Sequence, residues 1–289
     1  MERMEMGVEE ETRTCRTCRK VFQAPMARVM GHRFGPTLCP ECAARHEDEE
    51  ELRLERERQQ DEVRDRWKEE SGVHPNYWDA TFESWEQRAR LQEPFAVCMD
   101  YADTFPVDRI PFRHRSLMLY SRESGRGKTH LASAVINRII VRWAGDPEGA
   151  RCPVRYETGP SLQLRVRRSY KPPPDPEVWQ ESEADIYEQL RGVPLLVLDD
   201  VGDPQKEAAS DHSRRVYFHV IDQRYSDGLP VLLCSNVDMK GLERVMGAAT
   251  VDRLREMVWG FAYGLEGEKS YREVIKERRK EHLRKDQQP

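Results

Sequence analysis

The stretch from Ser116 to Ile140 leaves the chain few folds to choose from. Ser116-Leu-Met-Leu-Tyr120 reads as a short apolar strand. The loop Ser121-Arg-Glu-Ser-Gly-Arg-Gly-Lys-Thr129 follows, and then a helical pattern, His130-Leu-Ala-Ser-Ala-Val-Ile-Asn-Arg-Ile-Ile140. Strand, glycine loop, Lys-Thr and helix is the context of a Walker A phosphate loop. Backbone N–H groups of such a loop and of the helix start cradle phosphates, and Gly125 and Gly127 let the chain approach closely. The phosphate-binding set is then Ser124, Gly125, Arg126, Gly127, Lys128, Thr129 and His130. Lys128 reaches the outer phosphates and the Thr129 hydroxyl holds Mg²⁺. One position departs from the pattern: Arg122 stands where the first glycine of the motif belongs, and arginine costs more than glycine in a strained turn.

A second motif agrees with the first. Val193-Pro-Leu-Leu-Val-Leu-Asp-Asp200 is an apolar, buried-type strand ending in two acids, about seventy residues after the loop. In a parallel sheet such a strand end lies beside the phosphate loop. Asp199 is expected to hold the Mg²⁺ shell and Asp200 to polarise the attacking water. A third strand, Leu229-Pro-Val-Leu-Leu-Cys-Ser-Asn236, ends in an amide. Asn236 either orients that water and senses the γ-phosphate or simply marks a strand-to-turn boundary. In Ala249-Thr-Val-Asp-Arg-Leu-Arg-Glu256 the two arginines, Arg253 and Arg255, are two apart on a short helix and point apart. One of them is an arginine finger acting across a subunit boundary, or the pair is a solvated helix face.

Near the N-terminus, Cys15-x2-Cys18 is followed after twenty residues by Cys39-x2-Cys42. Two ligands three positions apart chelate one ion from a tight turn, and two such turns complete a tetrahedron. The alternative, a pair of disulfides, fits an exported protein better than this chain. Arg16, Arg19 and Lys20 would offset the charge of a four-thiolate zinc site. The segment is too short and polar for a core of its own, so metal binding is its expected folding energy. Cys98, Cys152 and Cys234 read as core thiols.

These motifs divide the 289 residues into four segments. Residues 1–46 form a zinc-binding domain and 47–74 a charged helical linker; 75–272 are an α/β nucleotide-binding domain and 273–289 a basic tail. Residues 45–70 hold twelve acids and seven bases without Gly or Pro, the composition of a solvated helix laced with i,i+4 ion pairs. Its sparse apolar positions, Leu52, Leu54, Val63 and Trp67, are too few for a coiled-coil seam. Gly72 and Pro75 end it. The net charge of −5 sits in this one segment, so it does not argue against a nucleic-acid partner. No apolar run approaches the roughly 20 residues of a membrane helix, and the acidic N-terminus does not read as a secretory signal. The expected location is cytoplasmic, with no membrane partner.

In combination the motifs resemble a known group. Tyr77-Trp-Asp-Ala-Thr-Phe-Glu-Ser-Trp85, Gly-Lys-Thr-His-Leu-Ala132, Leu-Val-Leu-Asp-Asp-Val-Gly202, Ser-Asn236, Asp-Arg-Leu254 and Ser-Tyr-Arg272 come in the order seen in AAA+ ATPases of the DnaC/DnaI helicase-loader and IstB group. The resemblance covers about residues 75–272. It implies a three-layer AAA+ P-loop core with a parallel five-stranded sheet and ATP as ligand. It also implies Tyr77 and its neighbours near the adenine, Asn236 as sensor 1 and Arg253 as the finger acting in trans. Asp200 in place of a second-acid Glu is a small departure, Arg122 a larger one. The short distance from Tyr271 to the chain end leaves no room for a helical lid, as in the loaders. A cysteine module at the N-terminus is similar to that of loaders, where it contacts the helicase.

One basic stretch remains. Ser161-Leu-Gln-Leu-Arg-Val-Arg-Arg-Ser-Tyr-Lys171 follows an expected strand at Val154–Glu157 and precedes prolines 172–174. Arg165, Arg168 and Lys171 can lie along one helix side with Tyr170 available for base stacking. They are a single-stranded DNA contact or an ordinary solvated face. The reading that follows is an ATPase, slow until its subunits self-associate, that loads a replicative helicase on single-stranded DNA. Its catalytic residues are Lys128, Asp200, Asn236 and Arg253, and its cofactors ATP, Mg²⁺ and Zn²⁺. The alternatives are an IstB-like transposition ATPase and a nucleotide-binding adaptor with little turnover.

Overall fold

The computed structural model describes residues 9–29, 32–86, 91–107, 113–171, 180–203, 210–267, 270–271, 273–274 and 276. Gly31, prolines 172–174, Arg272 and most of the basic tail lie outside them. The chain divides into two compact units, Met1–Glu62 and Val63–Pro289.

The first unit holds a meander of three antiparallel strands, β1 (Glu9–Thr14), β2 (Val21–Val29) and β3 (His32–Phe34), in that spatial order. Thr14 pairs with Val21, so the first cysteine pair sits in the turn between β1 and β2. The second pair flanks the start of a 31-residue helix, α1 (Pro40–Glu70), with Pro at its first position, where its missing N–H costs nothing. The long polar run of α1 is laced as its composition suggests. Arg53 pairs with Glu50 at 2.5 Å and with Glu57 at 3.1 Å, and Arg58 with Glu55 at 2.8 Å.

In the second unit the last turns of α1 change character. Val63 and Trp67 are buried, and Trp67 packs against Trp143 with ring centroids 4.6 Å apart. The helix stops at Ser71–Gly72, whose glycine takes the left-handed φ of +82°. A 3-10 turn at Pro75–Tyr77 and α2 (Gln92–Thr104) follow. Then come β4 (Leu117–Tyr120), α3 (Lys128–Arg142), β5 (Val154–Thr158), α4 (Gly159–Ser169), α5 (Glu183–Gly192), β6 (Leu195–Val201), α6 (Asp211–Asp227), β7 (Val231–Ser235), α7 (Met239–Met246), α8 (Ala248–Val258) and β8 (Ala262–Gly264). The strands expected near 116, 154, 193 and 229 are all found; β8 has no strong sequence signal of its own.

These five strands form one parallel sheet in the order β5-β6-β7-β4-β8. Alternation along each strand sends side chains to opposite faces. Leu117, Leu119, Val154, Tyr156, Leu195, Val197, Leu232 and Cys234 face one layer, with α2, α3 and residues 63–82. Met118, Leu196, Leu198, Val231 and Leu233 face the other, with α4 to α8. Both faces are covered, which is why the strands read as continuous apolar runs. Each large side chain buried this way contributes about 1.5–3 kcal/mol.

One cation is sealed in this core. Arg224 of α6 is 0% exposed and its guanidinium donates to the carbonyls of Leu190, Val193, Pro194 and Pro230 at 2.7–2.9 Å. It ties the end of α5 and the entries to β6 and β7 together, and burial pulls its pKa down to about 9. No helix among the described residues is long and apolar enough to cross a membrane.

Candidate functional site

At the carboxyl ends of β4, β6 and β7 lies a cavity of about 740 Å³. Parallel sheets place ligand sites there because the strand-to-helix loops converge. Its lining includes Tyr77, the loop residues Ser124, Gly125, Arg126, Gly127, Lys128, Thr129 and His130, and Asp200 and Asn236. Residues far apart in sequence, singled out on separate motifs, thus line one space.

The loop is built for close approach. Gly125 and Gly127 have φ of +77° and +100°. Gly127 is needed for a second reason: a Cβ there would fall 2.4 Å from the Trp85 ring. Arg122 proves harmless to the backbone. The left-handed non-glycine residues among those described are Arg19, Arg113, Asp200 and Trp259. Arg122 is not one of them; its side chain is 81% exposed, 3.9 Å from Asp238. Lys128 is buried, its ammonium donating to Ser121 Oγ at 2.8 Å. Burial pulls its pKa down, against nearby Asp199 and Asp200, which favour the charge. A desolvated ammonium beside a ring of amides is a receptor for an anion.

The acids at the end of β6 differ from each other. The ladder between β6 and β7 shifts register between Leu198 and Val201, and Asp200 has φ +54° within that bulge. Asp200 therefore turns into the cavity, whereas Asp199 is 1% exposed behind it. Asp199 accepts from the Asp200 amide at 2.7 Å and from the Tyr156 hydroxyl at 2.7 Å, and the Thr129 hydroxyl lies close enough to favour its charged form. Burial raises its pKa and these donors oppose the rise. With Thr129 beside it, this pair has the donor chemistry, all oxygen, that suits Mg²⁺.

The wall opposite the loop comes from residues 76–86. Asn137 of α3 pins it, its amide donating to the carbonyls of Tyr77 (3.2 Å), Trp78 (3.1 Å) and Ala80 (2.7 Å). His130 Nε2 bonds the Thr81 carbonyl at 3.1 Å, so that nitrogen carries the proton. From the C-terminal side, the Tyr271 amide donates to the Gly125 carbonyl at 2.9 Å and its hydroxyl to Glu86 at 3.2 Å. Motif reading missed Asn76, Asp79, Trp85, Glu86, Asp203 and Val237 in the lining, and Tyr156 behind it. Their side chains converge only through the fold; of these, Asp79 and Trp85 stand in the family-like string, unflagged there as lining residues.

Arg253 stands apart from the cavity. Its Nε pairs with Asp222 at 2.7 Å and its guanidinium lies 5.0 Å over the Phe218 ring. Arg255 points elsewhere, to Glu243 at 2.6 Å. The basic helix also differs from its expected form. It ends at Ser169, so Lys171 leaves the face that Arg165 and Arg168 were expected to share with it. Lys171 precedes a proline, and a residue there is steered away from helix. Arg165 is engaged internally, with Glu181 at 2.5 Å, Gln189 at 2.5 Å and Glu157 at 3.4 Å. Arg168, Tyr170 and Lys171 are exposed.

In the first unit, the ligand atoms of Cys15, Cys18, Cys39 and Cys42 all lie within 4.8 Å of one another, with Cys18 and Cys39 sulfurs 3.6 Å apart. Sulfurs at about 2.3 Å from one tetrahedral zinc stand about 3.8 Å apart, so the set fits. All four are free thiols. Backbone amides of Cys18 and Cys39 pull the Cys15 thiol down to about 6. Hydrogen bonds to the neighbouring sulfurs, first Cys18, push Cys42 up to about 12. Deprotonated together, four sulfurs so close would need a cation among them.

No protein-family model matches the chain. It is 23% identical over 186 residues to "Replicative helicase loader DnaC" of Escherichia coli strain K12, an alignment covering 64% of this chain and 66% of that protein, just under two thirds of its length. The protein of the same name from Buchnera aphidicola (subspecies Baizongia pistaciae) is 24% identical over 64% of this chain and 67% of its own. Among solved structures, AMPPCP-bound DnaA from Aquifex aeolicus matches with TM-score 0.50 at 20% identity, over 72% of this chain and 56% of that one. A structure described as a DNA replication initiation factor matches with TM-score 0.52 at 20% identity, with the same coverage. The chain is thus similar in fold to these replication initiation proteins and similar in sequence to the DnaC helicase loaders.

Proposed function

We propose that the second unit binds ATP with Mg²⁺ and hydrolyses it, and that the chain serves DNA replication by engaging a replicative helicase and single-stranded DNA as a helicase loader. One observation carries the nucleotide reading: the glycine loop with Lys128 and Thr129, and Asp200, Asn236 and Tyr77, line a single cavity, with Asp199 buried behind it. The relation to DnaC supports the loader role. In this reading the loop amides and Lys128 hold the phosphates, and Tyr77 lies against the base. Thr129 and Asp199 hold Mg²⁺, which supplies positive charge to the transferring phosphoryl group. Asp200 takes the proton from the attacking water and Asn236 orients it. Arg253 acts on a neighbouring copy after leaving Asp222, so hydrolysis per chain rises as copies associate. The cysteine unit, loaded with zinc, carries the helicase contact, and Arg168 and Lys171 are the cations left to meet DNA.

The test is titration with a fluorescent ATP analogue at millimolar Mg²⁺, followed by phosphate release. Wild type is expected to saturate. Lys128→Ala should lose uptake. Asp200→Asn, whose amide tolerates the left-handed backbone, should keep uptake and lose hydrolysis about 100-fold. No saturable uptake by wild type overturns the reading.

A further inference from the structure

Tyr156 does something that no phosphate loop or acidic strand end requires. It lies on β5, at the edge of the sheet, with 9% of its surface exposed, and its hydroxyl donates to Asp199 Oδ2 at 2.7 Å. The other oxygen, Oδ1, accepts from the Asp200 amide at 2.7 Å. Both carboxylate oxygens are therefore held, which fixes the plane of the group that faces Thr129. Packing alone does not call for the phenol, since a phenylalanine ring would fill the same apolar layer.

The backbone of the same residue is gripped from the other side. The Tyr156 amide donates to the Ser71 carbonyl at 2.6 Å, a bond that closes part of the free edge of β5. The Tyr156 carbonyl lies against Gly72, where a Cβ would come within 2.6 Å of it. From this turn the chain runs to the cavity wall, where Trp78 Nε1 donates to the Val73 carbonyl at 3.0 Å. The segment Ser71–Val73 at the end of α1 thus touches both Trp78, beside Tyr77 in the wall, and the strand residue that holds Asp199.

We infer that Tyr156 is a positioning residue, orienting Asp199 for Mg²⁺ and coupling that orientation to the Ser71–Gly72 turn. The inference rests on the reading of the cavity as a nucleotide and magnesium site. Outer partners of ligating carboxylates typically carry 10–100-fold of metal affinity.

The experiment uses the full, zinc-loaded chain and compares wild type with Tyr156→Phe, which keeps the ring. Two quantities are read: the Mg²⁺ concentration for half-maximal hydrolysis, and uptake of the fluorescent ATP analogue in EDTA. Tyr156→Phe should need about 10-fold more Mg²⁺ while uptake in EDTA matches wild type. Gly72→Ala, which pushes on the Tyr156 backbone, should shift the Mg²⁺ curve in the same direction. The double variant should shift it no further than Tyr156→Phe alone. A Tyr156→Phe curve that superimposes on wild type overturns the inference, and so does a parallel loss of uptake in EDTA, the mark of a packing role. Full additivity of the two variants overturns the coupling to the turn. Absence of saturable uptake by wild type with Mg²⁺ instead removes the nucleotide reading itself, and the inference with it.

Discussion

The two units reach order by different routes. The buried residues of the first cluster are Cys15, Cys39 and Cys42, with Phe22 and Leu38 packed beside them. Val21 and Phe34 are left 67% and 57% exposed. The second unit buries two full layers of aliphatic and aromatic side chains against a sheet. A few thousand square ångströms of apolar burial can offset chain entropy in the second unit, and three sulfurs cannot do so in the first. On the proposed zinc reading the first draws its folding energy from a metal, and the second draws its own from apolar burial.

Removing metal tests this contrast most severely. Structural zinc is worth about 10–16 kcal/mol to a small site, so chelation of the full chain should abolish hydrogen-exchange protection in residues 9–38 and leave residues 113–142 protected. On the proposed function the chelated chain also loses capture of a hexameric helicase and keeps nucleotide uptake. Equal loss of protection in both units would break the comparison. Next in size is Arg224→Met, which strips four carbonyls, three of them in buried bonds, of this donor. A loss of about 3 kcal/mol or more is expected, lowering the second unit's midpoint by roughly 6–12 °C and sparing the thiol environment of the first. A thermal midpoint within error of wild type would mean that water replaces the guanidinium. The smallest effect belongs to the surface of α1. Glu50→Gln with Glu57→Gln removes both partners of Arg53 in an exposed pair network. Circular dichroism should register only a slight loss of helicity, vanishing at high salt, because exposed pairs are screened.

Much of the second unit was legible residue by residue. The apolar runs before Tyr120, Asp199 and Ser235 are strands because a sheet covered on both faces tolerates no polar alternation. The Lys-Thr after two glycines marks the start of α3 because the missing side chains free the loop amides. The three strands of the first unit left no such trace: β1 is mostly polar, and the ribbon is tied by backbone pairing and the cysteine turns. Trp67 reads as one apolar residue on a charged helix, yet is fully buried, because its partner Trp143 is distant in sequence. Arg165 reads as a free cation, and only the approach of Glu181 and Gln189, 16 and 24 positions further along the chain, shows its charge to be engaged.

By itself the amino-acid order specified which local chemistries the chain can offer. These are a phosphate loop, an acid pair at a strand end, and two cysteine pairs at chelating distance. Each depends on neighbours within a few positions, where backbone geometry is short-ranged. Which of those chemistries meet was decided by the tertiary structure alone. It turned Asp200 into the cavity through a bulge and set Asp199 behind it. It laid Trp85 on Gly127 and bonded Tyr156 to Asp199. It drew Arg253 aside to Asp222. Those contacts join residues tens of positions apart, and only the closing of the sheet and its two helical layers brings them within reach.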